Sequence, residues 1–311
     1  MAVLVTGGKG FIGARVIKQL LEANQEVVCF EPKATPGRLG TLADRITMVE
    51  GDIVNYDDIV RAITDHKIDR IAHLVFYRGE KPDDLYRQQM IMHTGTFHMF
   101  EAARLAGIGR LVFPSSIQYH GHDKPWTGPQ PVNEDSPALP TTGYGIGKHL
   151  CEHLAHEYNR RFGTEFVTVR VPGVYGPGVK LGARGVNLIG TEGALGHPVA
   201  LPYAPSQHVV LAHVDDIAQI VVRALFAIEL PHEVYHAGGH YVSYADIAAL
   251  GRRFVPDMQV SFDEAAPLKC AYSVDSSRMT RELGVEHRSL AQGYLDLMNL
   301  TRKESELPPL R

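Results

Sequence analysis

The segment YGIGK at positions 144–148 places a tyrosine and a lysine four residues apart. On a helix, residues at this spacing share one face, so Tyr144 and Lys148 would point in the same direction. A free tyrosine has a pKa of about 10, which is too high for efficient proton transfer near pH 7. A nearby ammonium stabilises the phenolate, and a fall of about 2–3 pKa units corresponds to about 3–4 kcal/mol. The pair therefore predicts a tyrosine acid/base and a lysine that activates it.

A serine motif upstream supports a catalytic role for the tyrosine–lysine pair, because the spacing of the pair alone is weak evidence. Chance produces about 0.4 tyrosine–lysine pairs of this kind in a chain of this length. VFPSSIQYHG (112–121) reads as a strand end, where an open α/β sheet presents its ligands. Ser115 or Ser116 could there hydrogen-bond a substrate oxygen, although a serine in this place can also be a loop or capping residue.

The first glycine-rich segment, TGGKGFIG (6–13), follows an apolar strand and opens a helix. Gly7, Gly10 and Gly13 leave room for a pyrophosphate to approach the backbone at the positive helix N-terminus. Phe11 and Ile12, which lie between the last two glycines, are assigned as cofactor contacts with them. A tight strand-to-helix turn is the alternative interpretation. The order of strand, loop and helix favours dinucleotide binding.

Two carboxylates follow the next two strands. Glu31 stands 18 residues after Gly13, where a carboxylate accepts hydrogen bonds from the adenosine ribose and repels a 2′-phosphate. This predicts NAD rather than NADP. Asp52, next to Ile53, could accept from the adenine amino group, or it could be a helix N-cap or a loop carboxylate.

Tyr144 and Lys148 are assigned as cofactor contacts as well as catalytic residues. Lys148 could donate to the nicotinamide ribose, and a positive nicotinamide ring would favour the phenolate of Tyr144.

Composition restricts the class of protein. The chain has 311 residues, 44% hydrophobic and 21% charged, with a net charge of −4. These values are ordinary for a globular protein, and no basic run favours nucleic acid or an anionic membrane as a partner. No stretch approaches the roughly 20 apolar residues that cross a bilayer. Cys29, Cys151 and Cys270 are scattered without metal-ligand spacing, so we expect reduced thiols in a cytoplasmic protein.

The elements that must position these residues alternate along the first half of the chain. Apolar runs at 2–6, 26–31, 47–52, 70–76, 110–116 and 165–171 predict strands, and helical patterns at 11–23, 55–65, 87–106 and 144–162 lie between most of them. This predicts an α/β fold with a Rossmann-type, doubly wound parallel sheet. We expect an NAD(P)-binding domain at 1–174 and a smaller, mostly substrate-binding C-terminal lobe at 175–311. Segments around 205–240 should return to the first domain.

Seven motifs occur in the order seen in extended short-chain dehydrogenases/reductases: TGGKGFIG, GD at 51–52, PSSIQYHG, YGIGK, RVPGVYGPG, HVDDIA and DSSRMTRELG. Along nearly its whole length the chain resembles the NAD-dependent epimerase/dehydratase family of that group. The resemblance implies that Ser116 orients the substrate, Tyr144 is the acid/base and Lys148 its activator. It also implies cofactor contacts at the positions given above, and a homodimer whose four-helix bundle is built from 87–106 and 144–162.

The chain departs from the family pattern around the substrate. The arginine that grips the substrate diphosphate in sugar-nucleotide epimerases is replaced by Val209, and the asparagine of the NVxGT motif by Met92. Valine cannot make a bidentate phosphate contact. These departures predict a small, non-nucleotide substrate, although Arg78, Lys180 or Arg184 could still bind an anion.

Candidate substrate contacts lie in the segments after the fourth and fifth strands: Arg78, Tyr119, His120 and Trp126. His149, His153 and His156 recur at helical spacing, but these three do not form an HExxH motif and we expect no metal site.

We therefore predict an NAD-dependent oxidoreductase in which Ser116 holds a secondary alcohol and Tyr144 takes its proton. The alternatives are a sugar or nucleotide-sugar epimerase/dehydratase with tightly bound NAD, and an NAD-binding regulatory protein. The complete Ser–Tyr–Lys set argues against the regulator.

Overall fold

The computed structural model describes residues 2–77, 84–122, 126–178, 184–267 and 271–311. The strands in these ranges are β1 (Ala2–Thr6), β2 (Glu26–Glu31), β3 (Thr47–Glu50), β4 (Ile68–His73), β5 (Arg110–Ser116), β6 (Phe166–Val171), β7 (Gly173–Tyr175), β8 (Val199–Leu201), β9 (His208–His213), β10 (Val234–His236), β11 (His240–Ser243) and β12 (Val260–Phe262). The α-helices are α1 (Phe11–Glu22), α2 (Tyr56–Asp65), α3 (Leu85–Gln89), α4 (Gly95–Leu105), α5 (Gly143–Phe162), α6 (Arg184–Gly190), α7 (Val214–Phe226), α8 (Tyr244–Phe254), α9 (Ser277–Leu283) and α10 (Leu290–Glu304).

A parallel sheet of seven strands, in the order β10-β6-β5-β4-β1-β2-β3, forms the centre of the protein. Helices cover both of its faces. One apolar cluster contains side chains of α1, α7 and α9, and another contains side chains of α2, α4 and α5. The predicted doubly wound parallel sheet is therefore confirmed.

The C-terminal part builds a third apolar cluster around Tyr175 and Tyr294. A three-stranded sheet, β11-β9-β7, and a two-stranded sheet, β12-β8, belong to this part. Two later elements return to the large sheet, because β10 pairs with β6 and α7 packs on α1. The division into 1–174 and 175–311 stays a prediction.

Two strands and one helix of the first half differ from the expected bounds by more than one residue. β3 ends at Glu50 instead of Asp52, and β4 lies two to three residues earlier than 70–76. The helix expected at 87–106 consists of α3, a π-helical turn at Met90–Thr94, and α4. Thr96 donates its hydroxyl to the Met92 carbonyl (2.6 Å) at this turn, and such side-chain bonds compete with the regular helical ladder.

No helix in the described ranges is both long enough and apolar enough to cross a bilayer.

Candidate active site

The glycine-rich loop between β1 and α1 forms a bare backbone cradle. Gly7 has φ +69°, and a Cβ on it would lie 2.7 Å from the Leu74 carbonyl oxygen. A Cβ on Gly13 would overlap the Gly7 carbonyl oxygen. Gly10 is the N-cap of α1, which has no capping side-chain bond and no acidic residue in its first turn, where Phe11 and Ile12 lie. The positive helix terminus is therefore left for a ligand, and the arrangement fits the pyrophosphate of a dinucleotide.

Glu31 ends β2 beside this loop and is buried. Its Oε1 accepts the backbone N–H of Lys9 (2.8 Å), so the carboxylate is tied to the glycine-rich loop. Burial raises the pKa of Glu31, and the Lys9 backbone bond opposes this rise. No hydrogen bond to Oε2 is found within the described residues, so that oxygen can accept from a ribose hydroxyl.

Asp52 and Ile53 follow β3. Asp52 is exposed, and its Oδ1 accepts the N–H of Val54 (3.0 Å), which is the loop-carboxylate arrangement. The N-cap of α2 is Asn55 and not Asp52. Ile53 is buried against Gly95 at the start of α4.

The end of β5 and the first turn of α5 bring Ser116, Tyr144 and Lys148 together. Ser116 is the last residue of β5, and its Oγ accepts the N–H of Gln118 (3.2 Å). Thr142 caps α5 by accepting the N–H of Gly145 (3.0 Å), which fixes the turn that carries Tyr144. Lys148 is buried, and its Nζ lies 5.8 Å from the centre of the Tyr144 ring.

The ionisation of this cluster differs from the sequence-based expectation. Burial raises the pKa of Tyr144 to about 12, and a hydrogen bond with Ser116 opposes the rise. Lys148 donates to the Pro114 carbonyl oxygen (2.8 Å), and burial lowers the pKa of its ammonium. The pKa of Tyr144 therefore lies above its ordinary value in the presence of Lys148. A further positive charge at the site is needed to favour the phenolate.

The predicted substrate contacts are not all in one place. Tyr119 is half-buried, with its ring over the Arg170 guanidinium (3.6 Å from Cζ to the ring centre). His120 is only 1% exposed, and its contact with a substrate stays a prediction. Its Nδ1 bonds to the Pro137 carbonyl (3.0 Å) and its Nε2 to Nε2 of His236 (3.0 Å). Burial lowers the pKa of His120 to about 4.

Of the other predicted substrate contacts, Trp126 lies within the described residues. Trp126 is half-buried and donates its Nε1–H to the Pro129 carbonyl (3.0 Å). Arg78 and Lys180 lie outside the described residues, as does Cys270. Cys29 and Cys151 are buried free thiols.

A buried ion pair behind the site did not emerge from the sequence motifs. Arg170 of β6 donates from Nε and Nη2 to the Glu152 carboxylate of α5 (2.8–3.2 Å). The same guanidinium donates to the Glu134 carbonyl (2.9 Å) and supports the Tyr119 ring. An arginine within the otherwise apolar FVTVRV strand is the signal that could have indicated this pair.

Comparison with known proteins identifies the family. Residues 3–238 match the NAD dependent epimerase/dehydratase family. The chain belongs to this family. NAD dependence therefore comes with family membership, and the predicted resemblance and cofactor are confirmed.

Named relatives of the chain include two UDP-glucose 4-epimerases. The enzyme of Mycolicibacterium smegmatis is 31% identical over 234 residues, which cover 72% of this chain and 73% of that protein. The enzyme of Lacticaseibacillus casei is 30% identical over 178 residues, 57% of this chain and 52% of that protein. The chain thus spans about half the length of the first curated relatives it matches.

Solved structures show the same fold. The UDP-glucose 4-epimerase of Thermus thermophilus, in complex with NAD, superposes with a TM-score of 0.82 at 22% identity and covers 97% of this chain and 99% of its own. The UDP-glucose 4-epimerase of Thermotoga maritima, solved with UDP-glucose, superposes with a TM-score of 0.85 at 20% identity. The match covers 98% of this chain and 100% of that chain.

Proposed function

We propose that the chain is an NAD-dependent epimerase that inverts a secondary alcohol carbon of a sugar nucleotide. The observation that carries the proposal is the cluster of Ser116, Tyr144 and Lys148 at the carboxyl end of β5, on the same sheet edge as the glycine-rich loop. The relatives favour this function, which is one of the alternatives predicted from the sequence, over an oxidoreductase of a small non-nucleotide substrate.

The cofactor would be held by backbone amides at Gly7, Gly10 and Gly13 and by the carboxylate of Glu31. When bound, NAD supplies a hydride acceptor and a positive nicotinamide ring. Catalysis by the protein then consists of orienting the alcohol and moving its proton.

Ser116 would hold the substrate oxygen through its hydroxyl. Tyr144 Oη would take the alcohol proton and return it after the carbon has been reduced from its other face. Lys148, held by the Pro114 carbonyl, would stabilise the phenolate of Tyr144. The positive charge of the bound cofactor would oppose the rise in the pKa of Tyr144 that burial causes. The proton removed in the oxidation is thus replaced in the reduction, and return of the hydride to the same carbon leaves no net oxidation.

A second candidate, a dehydrogenase of a substrate without a diphosphate, has one observation in its favour. Val209, in the position of the family's diphosphate-binding arginine, lies in β9 opposite Val242 of β11. Two apolar side chains at this register offer no partner to a phosphate oxygen.

One assay separates the two candidates. The protein, supplied with NAD and UDP-glucose, should form UDP-galactose, detected by NMR, without a rise in NADH absorbance at 340 nm. NADH accumulation with sugars or other alcohols, and no epimer from any UDP-sugar, would favour the dehydrogenase.

The role of Tyr144 has a matched control on the same helix. Tyr144→Phe should lower kcat by about 10²–10⁴-fold, because the acid/base is lost. Tyr158→Phe removes a hydroxyl that donates to Glu101 (3.0 Å), well away from the cluster, and should keep wild-type kcat. NAD binding, followed by calorimetry, should be the same in both variants. Retained activity in Tyr144→Phe would contradict the mechanism.

A further inference from the structure

His93 is a buried histidine beside the catalytic helix for which the proposed mechanism has no use. It lies in the π-helical turn at Met90–Thr94 and is 7% exposed. Its Nε2 has no hydrogen-bond partner among the described residues. π-Helical turns occur often at functional sites, since one extra residue re-aims the side chains that follow.

The His93 ring fills a notch in α5 at Gly147. A Cβ built on Gly147 would overlap Nε2 and Cε1 of the imidazole. Gly143, one turn earlier on the same helix, would meet its nearest neighbour only at 3.8 Å. Gly147 therefore has no side chain because the ring occupies that space, and this contact lies between Tyr144 and Lys148 along the chain.

The imidazole is also coupled to the catalytic lysine. Burial lowers the pKa of His93, and the positive charge of Lys148 lowers it further. The other titratable groups around Lys148 are His73 at the end of β4, whose pKa burial lowers to about 3, and Cys151 and Glu152 one turn along α5. His93 therefore packs as a neutral ring, and the positive charge beside Tyr144 is that of Lys148.

We propose that His93 is a positioning residue, which seats in the Gly147 notch and thereby sets the placement of Tyr144 and Lys148 relative to Ser116. This inference rests on the proposed roles of those three residues. A shift of about 1 Å in a catalytic group lowers rates by about 10²-fold, so this contact should act on kcat.

The first experiment uses two glycines of one helix. Gly147→Ala should lower kcat at least about 10-fold with an unchanged Kd for NAD, because the methyl group displaces the ring or the helix. Gly143→Ala, whose methyl group would make only ordinary van der Waals contact (3.8 Å), should behave as wild type. Adding His93→Ala to Gly147→Ala should raise kcat again, because the space for the methyl group is restored. Wild-type kcat in Gly147→Ala, or no recovery in the double variant, would overturn the proposal.

The second experiment needs no substrate. The ring signals of His93, assigned by their loss in His93→Gln, are followed by NMR as the pH is lowered. Lys148→Met should raise the pKa of His93, because the repelling charge is gone. His98 of α4, whose ring centre lies 5.7 Å from that of Tyr56, provides control signals that should be the same in Lys148→Met and in the wild type. An unchanged His93 titration would show that the ring does not face Lys148.

The two proposals can fail separately. Retained activity in Tyr144→Phe overturns the proposed function, while the NMR titration still tests the contact of His93 with Lys148. An inactive Tyr144→Phe together with a fully active Gly147→Ala overturns only the positioning role.

Discussion

The buried pair of Arg170 and Glu152 offers a sharp test of how the site is held together. Both side chains are at most 5% exposed. Glu152→Ala removes the acceptor of three guanidinium hydrogen bonds and leaves the Arg170 charge in the interior. Its remaining partners are the Glu134 carbonyl, the Tyr119 ring, and the neutral imidazoles of His120 and His236. Breaking a buried pair in this way costs about 3–5 kcal/mol.

A second carboxylate on α5 provides the matched control. Glu157 is paired with Arg160 and Arg161, and both arginine side chains are more than half exposed. Exposed pairs of this kind contribute little, so Glu157→Ala should unfold near the wild-type midpoint. Replacing Glu152 by Leu and Arg170 by Met together should recover most of the stability, because no charge is then left unpaired.

Urea unfolding at pH 7.5 measures these effects. Trp126, the one tryptophan of the chain, lies 6.2 Å from His120 between ring centres and reports on this region by fluorescence. Circular dichroism reports on the whole fold. If Glu152→Ala lowers the free energy of unfolding no more than Glu157→Ala does, then burial does not decide the strength of the pair and the reasoning is refuted.

Three further predictions concern single residues. In the wild type, His120 binds a proton below about pH 6.5 when unfolded but only near pH 4 when folded, so the free energy of unfolding falls as the pH falls through this window. His120→Asn removes this contribution. The difference in unfolding free energy between pH 7.5 and pH 5 should therefore be about 2 kcal/mol smaller in the variant. A pH dependence identical to wild type would contradict this. Gly13→Ala should abolish NAD binding in calorimetry, because the added Cβ would overlap the Gly7 carbonyl oxygen. Gly109→Ala, whose Cβ would lie 3.4 Å from the Asp69 carbonyl oxygen, should bind NAD as the wild type does. Glu31→Gln should raise the Kd for NAD about 10-fold, or about 1.4 kcal/mol, and thereby reduce the preference of the protein for NAD over NADP. An unchanged ratio of the Kd for NADP to the Kd for NAD would refute the contact of Glu31 with the ribose.

The first half of the fold was predictable from sequence because its signals are strong and local. β1 to β6 are apolar runs separated by helical patterns, and their carboxyl ends had to meet at one edge of the sheet. β7, β8, β10 and β12 have three residues each and lie in segments rich in Gly and Pro, so no periodicity marks them. The π-helical turn at Met90–Thr94 was invisible for a related reason, since one inserted residue hardly changes the pattern.

Some features of the candidate active site were likewise predictable from the sequence, and others were not. Chain order predicted that Ser116, Tyr144 and Lys148 would meet, because each stands at an element end that the fold brings to one edge. The direction of the pKa shift of Tyr144 was not predictable, because it depends on how deeply the tertiary structure buries the ring. The burial of His120 was not predictable for the same reason: the sequence places it after β5, but it does not show that its side chain turns inward to His236.

The position of β10 at the end of the large sheet has a consequence for synthesis. β6 ends at Val171, but its outer neighbour begins only at Val234, about 60 residues later along the chain. On a ribosome that adds about 5–20 residues per second, the outer side of β6 has no strand partner for several seconds after it emerges. An unpaired edge of this kind can recruit strands of other chains. We expect stalling or truncation between these two positions to give an aggregating nascent chain, whereas release beyond His236 should relieve it, because the strand that closes the edge is then present.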